Sequence, residues 1–548
     1  MTARVVGFTV FALAGLLTVI QYGMTIHYGF YYDDYHFVRP YTPHEVLAAF
    51  HGPWDPSGIE TAYYRPLTIA LYAARFSVFG LNAPAYHILS LILFATAAAL
   101  FAVLAMRLTG SRLAGLIGVC VFVMHPAMPY SAVAWITNQM HLTSMLVVLV
   151  GLLWWFAVRR RPGIWWAPLL VLQAAAFLIK EDGVMLLPAI VAVHTLRKYL
   201  VERDLPHVPG SLLVSGVATL ALLFLVRHVA LSGIPVRRVP PVDAAWTNLV
   251  RGFKGPFFLV PAKRPFQPAA SWFAMLLPVA AAVGWRWMSP GFRFGVASGF
   301  TIGILFDLPF VFIVKAEQLH LIAMAASLSL TAAASGLIHT ARLRWQVRTP
   351  IVAAIAAGVA AMSIVTRDIT RDFEPSGPLV KRADRIVQEW AAVPAELREY
   401  LAAKSAQPTG NEDSNPAQAV ALVAFGLHGR EIDPAGLPVR WMSGPVTDLY
   451  VGRGTRLASF RIRHEIGVFR EPARLEITVN GRPTQQVALT DGNWHDVTLA
   501  FSPRNAPRIS GMHHVRLTLD HAWIPARIIP DSADTRVLGL QVGAIARR

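Results

Sequence analysis

Two adjacent carboxylates, Asp33 and Asp34, stand in the aromatic stretch Tyr31-Tyr32-Asp33-Asp34-Tyr35-His36, just past the first apolar run of the chain. A carboxylate walled by low-polarity rings loses hydration, so its pKa rises and it can take a proton from an attacking hydroxyl. A carboxylate pair can instead hold a divalent cation through oxygen ligands, and the plain alternative is a solvated loop end. The neighbouring rings Tyr28, Phe30, Tyr31, Tyr32, Tyr35 and Phe37 either form a membrane-interface belt or wall a saccharide site.

Cations that could hold an anion recur later in the chain. Arg65, in Tyr64-Arg65-Pro66-Leu67, can fork onto a phosphate or pair with an acidic loop residue. Lys180-Glu181-Asp182 ends an apolar run, where ionisable groups near membrane depth are costly and either mark function or form an interfacial salt bridge. His125, before Pro126, can donate to a phosphate or cap a helix end. Arg237, Arg238, Lys254 and Lys315 complete the supply of positive charge that could face a departing anion. Trp135 with Asn138, Gln139 and His141 puts polar edges around an aromatic face, as a saccharide site or a packed interface would.

The elements that must position these residues are membrane spans. Of 548 residues, 55% are hydrophobic and 15% charged, and the mean hydropathy is +0.47, outside the range of soluble globular chains. Cys120 is the one cysteine, so neither a disulfide framework nor a cysteine metal cluster is available. The 49 Lys and Arg exceed the 32 Asp and Glu to give +17. They are scattered between apolar runs, which fits cytoplasmic anchoring and contact with anionic lipid and excludes a nucleic-acid surface.

Apolar runs predict eleven spans: Val5–Ile26, Tyr86–Met106, Leu113–Met128, His141–Val158, Ile164–Ile179, Gly183–Leu196, Ser211–Ala230, Ser271–Gly284, Phe294–Val314, Leu319–Thr340 and Ile351–Thr366. Short connections rich in Lys and Arg fall on one side, the cytoplasm. The Asp33-Asp34 loop, the His125–Met140 turn, the Lys180 corner and everything after Thr366 then face outward. Arg227, Arg237, Arg238, Arg251, Lys254, Lys263 and Arg264 face outward too, against the charge rule. Either an extra span hides there or these cations have a ligand, and the interruption of Trp246–Pro261 by charge, Gly and Pro favours the ligand. The loop from His27 to about Pro84 is too long for a connector, and Pro66–Phe79 within it reads as a short interfacial helix.

Beyond Thr366, Arg367–Lys404 has the spacing of an amphipathic helix and Ser405–Pro416 that of a linker. From about Ala421 the period becomes two. Leu475, Ile477 and Val479 alternate with polar residues before the hairpin signal Asn480-Gly481, and further strands over Leu457–Arg463, Asp496–Phe501, Val515–Leu519 and Val537–Ile545 predict a small β-sandwich. Trp441, Trp494 and Trp523 could stack on sugar rings or pack the sandwich.

The ordered set Asp33-Asp34, Tyr64-Arg65-Pro66-Leu67, Gly80-Leu81-Asn82, Tyr86-His87, His125-Pro126, Ala132-Val133-Ala134-Trp135-Ile136, Lys180-Glu181 and Leu187-Pro188 resembles the landmarks of GT-C superfamily glycosyltransferases. The nearest branch is that of the transmembrane and tetratricopeptide-repeat O-mannosyltransferases and their bacterial relatives, without the repeats. The likeness covers roughly residues 1 to 200. It departs at Ser131, at Asn138-Gln139-Met140-His141 and at Lys315-Ala316-Glu317-Gln318-Leu319-His320. The C-terminal part is similar to carbohydrate-binding-like sandwiches, through Leu489-Thr490-Asp491-Gly492-Asn493-Trp494 and Asp520-His521-Ala522-Trp523-Ile524-Pro525.

The resemblance implies a polytopic α-helical GT-C-like fold: residues 1–366 catalytic, 367–420 helix and linker, 421–548 an extracytoplasmic β-sandwich. It implies a multi-pass enzyme of the inner (plasma) membrane that moves a sugar from a polyprenyl-phosphate carrier to a hydroxyl of a protein or glycan acceptor. Asp33 or Asp34 would be base or contact a divalent cation. Arg65, His125, Lys180 and Glu181 would hold the lipid phosphate. The rival expectation is a transporter or flippase for a lipid-linked sugar, which calls for paired half-repeats.

Overall fold

A computed structural model describes residues 3–55, 63–159, 163–205, 208–231, 241–258, 266–311, 319–340, 345–375, 377, 380–381, 422–428, 431–433, 436, 438–452, 455–464, 472–502, 512–529, 532–534, 536–543 and 545–547. Its helices in chain order are α1 (Ala3–Tyr22), α2 (Asp34–Phe37), α3 (Pro43–His51), α4 (Pro66–Phe79), α5 (Ala83–Thr109), α6 (Arg112–Val123), α7 (Gln139–Val158), α8 (Ala167–Ile179), α9 (Leu186–Arg197), α10 (Gly210–Ala230), α11 (Val242–Phe258), α12 (Gln267–Val283), α13 (Pro290–Asp307), α14 (His320–Thr340) and α15 (Trp345–Arg371).

Every one of the eleven apolar runs falls on a helix. Among the described residues seven segments are long and apolar enough to cross a bilayer: Gly7–His27, Ala83–Thr109, Gln139–Val158, Glu181–Glu202, Gly210–Ala230, His320–Thr340 and Arg348–Arg371. The chain is a multi-pass membrane protein. Among the described residues seven spans meet that measure against the eleven expected: α6, α8 and α12 stop short of the ~20 residues a crossing needs, and α13, of 18 residues, does not meet it either.

The chain packs as two compact units, Met1–Ile26 with Tyr41–Leu71 and His87–Pro378, and His27–Pro40 with Tyr72–Tyr86 and Leu379–Arg548. This division differs from limits at 366 and 420, since two pieces of the first long loop belong with the C-terminal region.

In the first unit α14 is the central post, buried along almost its whole length. Its Ala, Ser and Gly content lets backbones approach where lipid gives no hydrophobic drive between helices. At α13, a Cβ added to Gly299 would lie 2.3 Å from Ser329 Oγ and 2.6 Å from Ser329 N, so the two helices touch there. Of the segment Trp246–Pro261, whose apolar run is interrupted by charge, Gly and Pro, the residues to Phe258 lie in α11, with Pro256 inside the helix. Its Phe257 is buried and stacks on Phe300 of α13 at 5.0 Å, while Val242 and Trp246 are exposed.

The second unit holds strands β1 (Leu422–Phe425), β2 (Glu431–Ile432), β3 (Pro438–Trp441), β4 (Val446–Gly452), β5 (Leu457–Arg463), β6 (Ala473–Val479), β7 (Arg482–Leu489), β8 (His495–Ala500), β9 (Met512–Leu519), β10 (Gln541–Gly543) and β11 (Ala546–Arg547). One sheet has the order β1-β4-β9-β6-β7; the other runs β11-β5-β10-β3-β2, with β8 on β5. Leu449, Leu475 and Leu517 of the first share a core with Phe460, Ile462 and Val497 of the second, the interleaving of a sandwich. Asn480 and Gly481 take φ +52° and +77° between β6 and β7, the positive pair a two-residue hairpin needs. Most of the helix and linker expected over 367–420 lies outside the described residues.

Candidate functional site

The corner between α8 and α9 is set by backbone before side chains. Lys180 leaves the helix with extended dihedrals, φ −157° and ψ 135°, and one turn, Glu181–Met185, leads into α9. Gln173 of α8 bolts that turn in place: its Nε2 donates to Gly183 O at 3.0 Å and its Oε1 accepts from Leu187 N–H at 2.8 Å. Gly183 presses on α8 so closely that a Cβ there would lie 2.4 Å from the Ala176 carbonyl carbon. Three consecutive ionisable side chains are thereby presented on a fixed frame.

Two ion pairs form on it. Lys180 Nζ meets Asp182 Oδ2 at 2.7 Å, each side chain 4% exposed, and Arg65 Nε meets Glu181 Oε2 at 2.7 Å. The other Glu181 oxygen accepts from Tyr64 N–H at 2.8 Å, and Thr68 Oγ1 donates to Ile179 O at 2.6 Å, so the start of α4 is stitched to the corner. The Arg65 guanidinium lies over the rings of Tyr63 and Trp54 at 4.2 and 4.8 Å, contacts worth about 0.5–2 kcal/mol each by type. Buried Arg227 of α10 is within the electrostatic reach of Glu181, and Lys180 feels Arg65 and Glu181 as well as Asp182. Arg65 and Lys180 are thus each paired to a carboxylate of the corner, with Arg227 nearby.

His320 opens α14 with its Nε2 3.9 Å from Asp182 Oδ2, and its ring stacks on that of His141 at 4.5 Å and 3°. His141 sits at the start of α7 beside Met140, whose Sδ lies 3.9 Å from Arg65 Nη1, and Gln139, whose Nε2 donates to Ser90 Oγ at 2.9 Å. Trp135 and Asn138 are buried in the turn before α7. The structure thus brings Arg65, Lys180 and Glu181 together, with His141 joining through His320. Among the described residues no group of three or more His, Cys, Asp or Glu is arranged to hold a metal ion.

His125 is used elsewhere in the same unit. Its Nδ1 accepts from Ala127 N–H at 3.2 Å, and its Nε2 is 3.0 Å from Pro256 O. One nitrogen accepts and the other must donate, which fixes the neutral tautomer. The ring ties α11 to the end of α6, so the phosphate contact expected of His125 is replaced by a backbone tie. Arg237, Arg238 and Lys315 lie outside the described residues.

In the second unit the acidic turn is tight. Tyr32 takes φ +44°, an uncommon left-handed conformation for a residue with a side chain. Asp34 is fully buried and its Oδ2 accepts from Tyr31 N–H at 2.8 Å, so this carboxylate closes the turn. Asp33 is half-buried and its carbonyl accepts from Phe37 N–H at 3.0 Å, which leaves it the more accessible acid of the pair. Tyr35 is in α2. Tyr28, Phe30 and Phe37 are buried, as packing residues and not as an exposed belt. Trp441 and Trp523 are buried edge to face at 6.0 Å, and Arg463 covers the Trp494 ring at 5.1 Å.

Asp182 and Arg227 were named from sequence without an assigned role, and His320 only as part of a departure from the family's landmarks. Arg227 was visible as a cation breaking the charge rule, and Asp182 as the neighbour of Lys180. His320 gave no signal beyond being a histidine at the head of an apolar run.

No protein-family model matches the chain, and no curated protein matches it. Solved structures similar to it include the oligosaccharyltransferase AglB of Archaeoglobus fulgidus, in complex with an inhibitory peptide and a dolichol-phosphate, at 11% identity and TM-score 0.43 over 75% of this chain and 60% of that one. A second structure of the Archaeoglobus fulgidus oligosaccharyltransferase, with Zn and sulfate, gives 12% and 0.39 over 74% and 58%. The arabinosyltransferase EmbB of Mycobacterium smegmatis gives 11% and 0.32 over 98% and 64%. The chain spans about three-fifths of the length of these neighbours, and likenesses this weak carry no functional conclusion.

Proposed function

We propose that the protein is a membrane glycosyltransferase that takes a sugar from a polyprenyl-phosphate carrier and passes it to a hydroxyl of a protein or glycan on the extracytoplasmic side. The observation that carries this reading is the convergence of buried, preorganised ionisable groups at the α8–α9 corner: Arg65 held by Glu181, Lys180 held by Asp182, and buried Arg227 near Glu181. Buried cations in a membrane bundle are costly unless compensated, and a lipid phosphate is the anion such a bundle meets. Glu181 and Asp182 hold the cations in place before the donor arrives. As the glycosyl–oxygen bond breaks, negative charge grows on the phosphate, and preorganised cations stabilise it most at that point.

Asp33 is the proposed base and accepts the proton of the attacking hydroxyl. Asp34, spent on Tyr31 N–H, holds the turn. The ordered sequence landmarks from Asp33 to Pro188 support the same reaction, and they set the O-mannosyltransferase branch as the first donor to try.

The test is chemical. Full-length protein purified in mild detergent is extracted and its bound lipid identified by mass spectrometry, then sugar release is assayed from polyprenyl-phosphate-linked hexoses and pentoses in vesicles. A bound polyprenyl phosphate, and release that falls in Arg65→Ala and Lys180→Ala, are expected. Release from no such donor, with a different lipid bound, overturns the reading.

A further inference from the structure

The strand β4 is buried on both faces, which an outer strand face of a free sandwich is not. From Thr447 to Val451 every residue is buried, whereas β5 alternates in the ordinary way. Leu449 and Val451 point into the sandwich core, so Asp448 and Tyr450 lie on the opposite face, and something must cover them. The cover is in the same compact unit: Phe76 of α4 meets Tyr450 edge to face at 5.3 Å and Phe425 of β1 at 6.1 Å.

The sheet prepares this face through cross-strand pairs. Tyr450 stands opposite His514 and Asp448 opposite Arg516 in the β4–β9 ladder. The His514 ring stacks on Tyr450 at 4.8 Å and 11°, and His514 and Arg516 both bond to Asp448, at 2.5 and 2.8 Å. Such opposite neighbours fix each other's rotamers, so Tyr450 is held upright from one side by an imidazole that is itself tethered. Phe425, opposite Asp448 in the β1–β4 ladder, supports the same ring at 5.8 Å.

On the helix side, Phe76 is buried one turn after Tyr72 on the same face of α4. Tyr72 packs on Phe37 at 5.7 Å. Tyr86 of α5 packs on Phe30 at 6.2 Å and on Phe79 at 5.2 Å, and its hydroxyl donates to Gly80 O at 3.0 Å. Phe30 and Phe37 stand three residues before Asp33 and three after Asp34. The turn is therefore gripped on both flanks by the α4–α5 elbow, and the elbow by the sheet.

We infer that the C-terminal sandwich is a positioning element for the acidic turn, with Tyr450 and Phe425 as positioning residues that act on Asp33 through Phe76, Tyr72 and Phe37. This rests on the proposed reaction only for its consequence in turnover; the mechanical coupling stands on the packing alone. It assigns the sandwich a role other than capturing glycan, and it explains why two pieces of the first long loop pack as one unit with a domain more than 300 residues away.

The coupling is measured in full-length protein in nanodiscs, in a Cys120→Ser background that carries Asp33→Cys as reporter. Maleimide labelling of position 33 should speed up at least about tenfold with Tyr450→Ala or Phe76→Ala and return to the reference rate with Tyr450→Phe, which keeps the ring. Phe460→Ala, which opens the sandwich core away from this face, should loosen the sandwich without matching that increase. In the Asp33 protein, Tyr450→Ala should lower kcat for sugar release from polyprenyl-phosphate-linked hexose more than it raises KM. Unchanged labelling in both Ala variants overturns the inference, and so does an equal increase from Phe460→Ala, which would report general unfolding. If Asp33→Asn retains full sugar release while labelling still responds to Tyr450→Ala, the proposed reaction falls and the coupling survives.

Discussion

Arg65 and Glu181 stand 116 residues apart in the chain and 2.7 Å apart in the fold, at side-chain exposures of 6% and 21%. The pair joins the start of α4 to the α8–α9 corner, and its carboxylate also holds Tyr64 N–H. Loss of Glu181 removes the carboxylate that both the Arg65 guanidinium and Tyr64 N–H engage.

Removal of one partner is therefore expected to cost more than removal of both. Glu181→Met should lower stability by about 3–5 kcal/mol, the range for breaking a buried pair, whereas the double variant Arg65→Met/Glu181→Met should recover part of the loss. Denaturant unfolding in detergent micelles measures the cycle; a double variant as unstable as the sum of the singles refutes the coupling.

Gly183 gives a steric prediction. A methyl at this position must displace the Ala176 backbone 2.4 Å away, so Gly183→Ala should cost about 1–3 kcal/mol or more and lower the melting temperature. Gly210, with nothing within 4 Å of an added Cβ, is the control, and Gly210→Ala should leave the melting temperature within a degree or two.

The two aspartates should separate by readout. Asp33→Asn should reduce sugar release about 10²–10⁴-fold, the usual worth of a general base, with unchanged melting. Asp34→Asn keeps an oxygen that can accept from Tyr31 N–H, and should retain most activity and stability, while Asp34→Leu should lose both. Equal kinetic losses in the two Asn variants would reverse the assignment.

Acid should loosen the sandwich face. Burial alone would raise the Asp448 pKa, but the hydrogen bonds and charges of His514 and Arg516 hold it below the ordinary aspartate value. The unfolded chain then takes up this proton first as pH falls, so the stabilisation is complete above about pH 5 and is lost below about pH 4, as pH drops through the folded pKa. Asp448→Asn should flatten that part of the pH–stability curve. An unchanged acid limb in the variant would show that other carboxylates dominate it.

Particular residues show what was legible in the chain. The multi-pass helical character was, because an apolar run of sufficient length has few other uses: each of the eleven runs overlaps a helix, and seven segments among the described residues are long and apolar enough to cross a bilayer. The β6–β7 hairpin was, because Asn480-Gly481 supplies the two left-handed residues that such a turn requires. The charge, Gly and Pro that interrupt the apolar run from Trp246 did not reveal that Trp246 to Phe258 is helical, with Phe257 stacked on Phe300 of α13. His125 carried a phosphate expectation that its bond to Pro256 O replaced, a partner 131 residues away that no local pattern contains.

The sequence by itself determined a multi-pass helical protein with a β-domain after the last span, the acidic turn, and the ionisable triplet at 180–182, since hydropathy, period and local charge are properties of neighbours in the chain. Only the tertiary structure decided which cations converge, that Asp34 closes its own turn while Asp33 stays accessible, and that the sandwich grips the loop carrying them. The Asp34 bond is local, to Tyr31 N–H, but the others depend on pairings such as Arg65–Glu181, 116 residues apart, and Phe76–Tyr450, more than 300 apart, made by packing and desolvation, and such pairings leave no periodic trace in the chain.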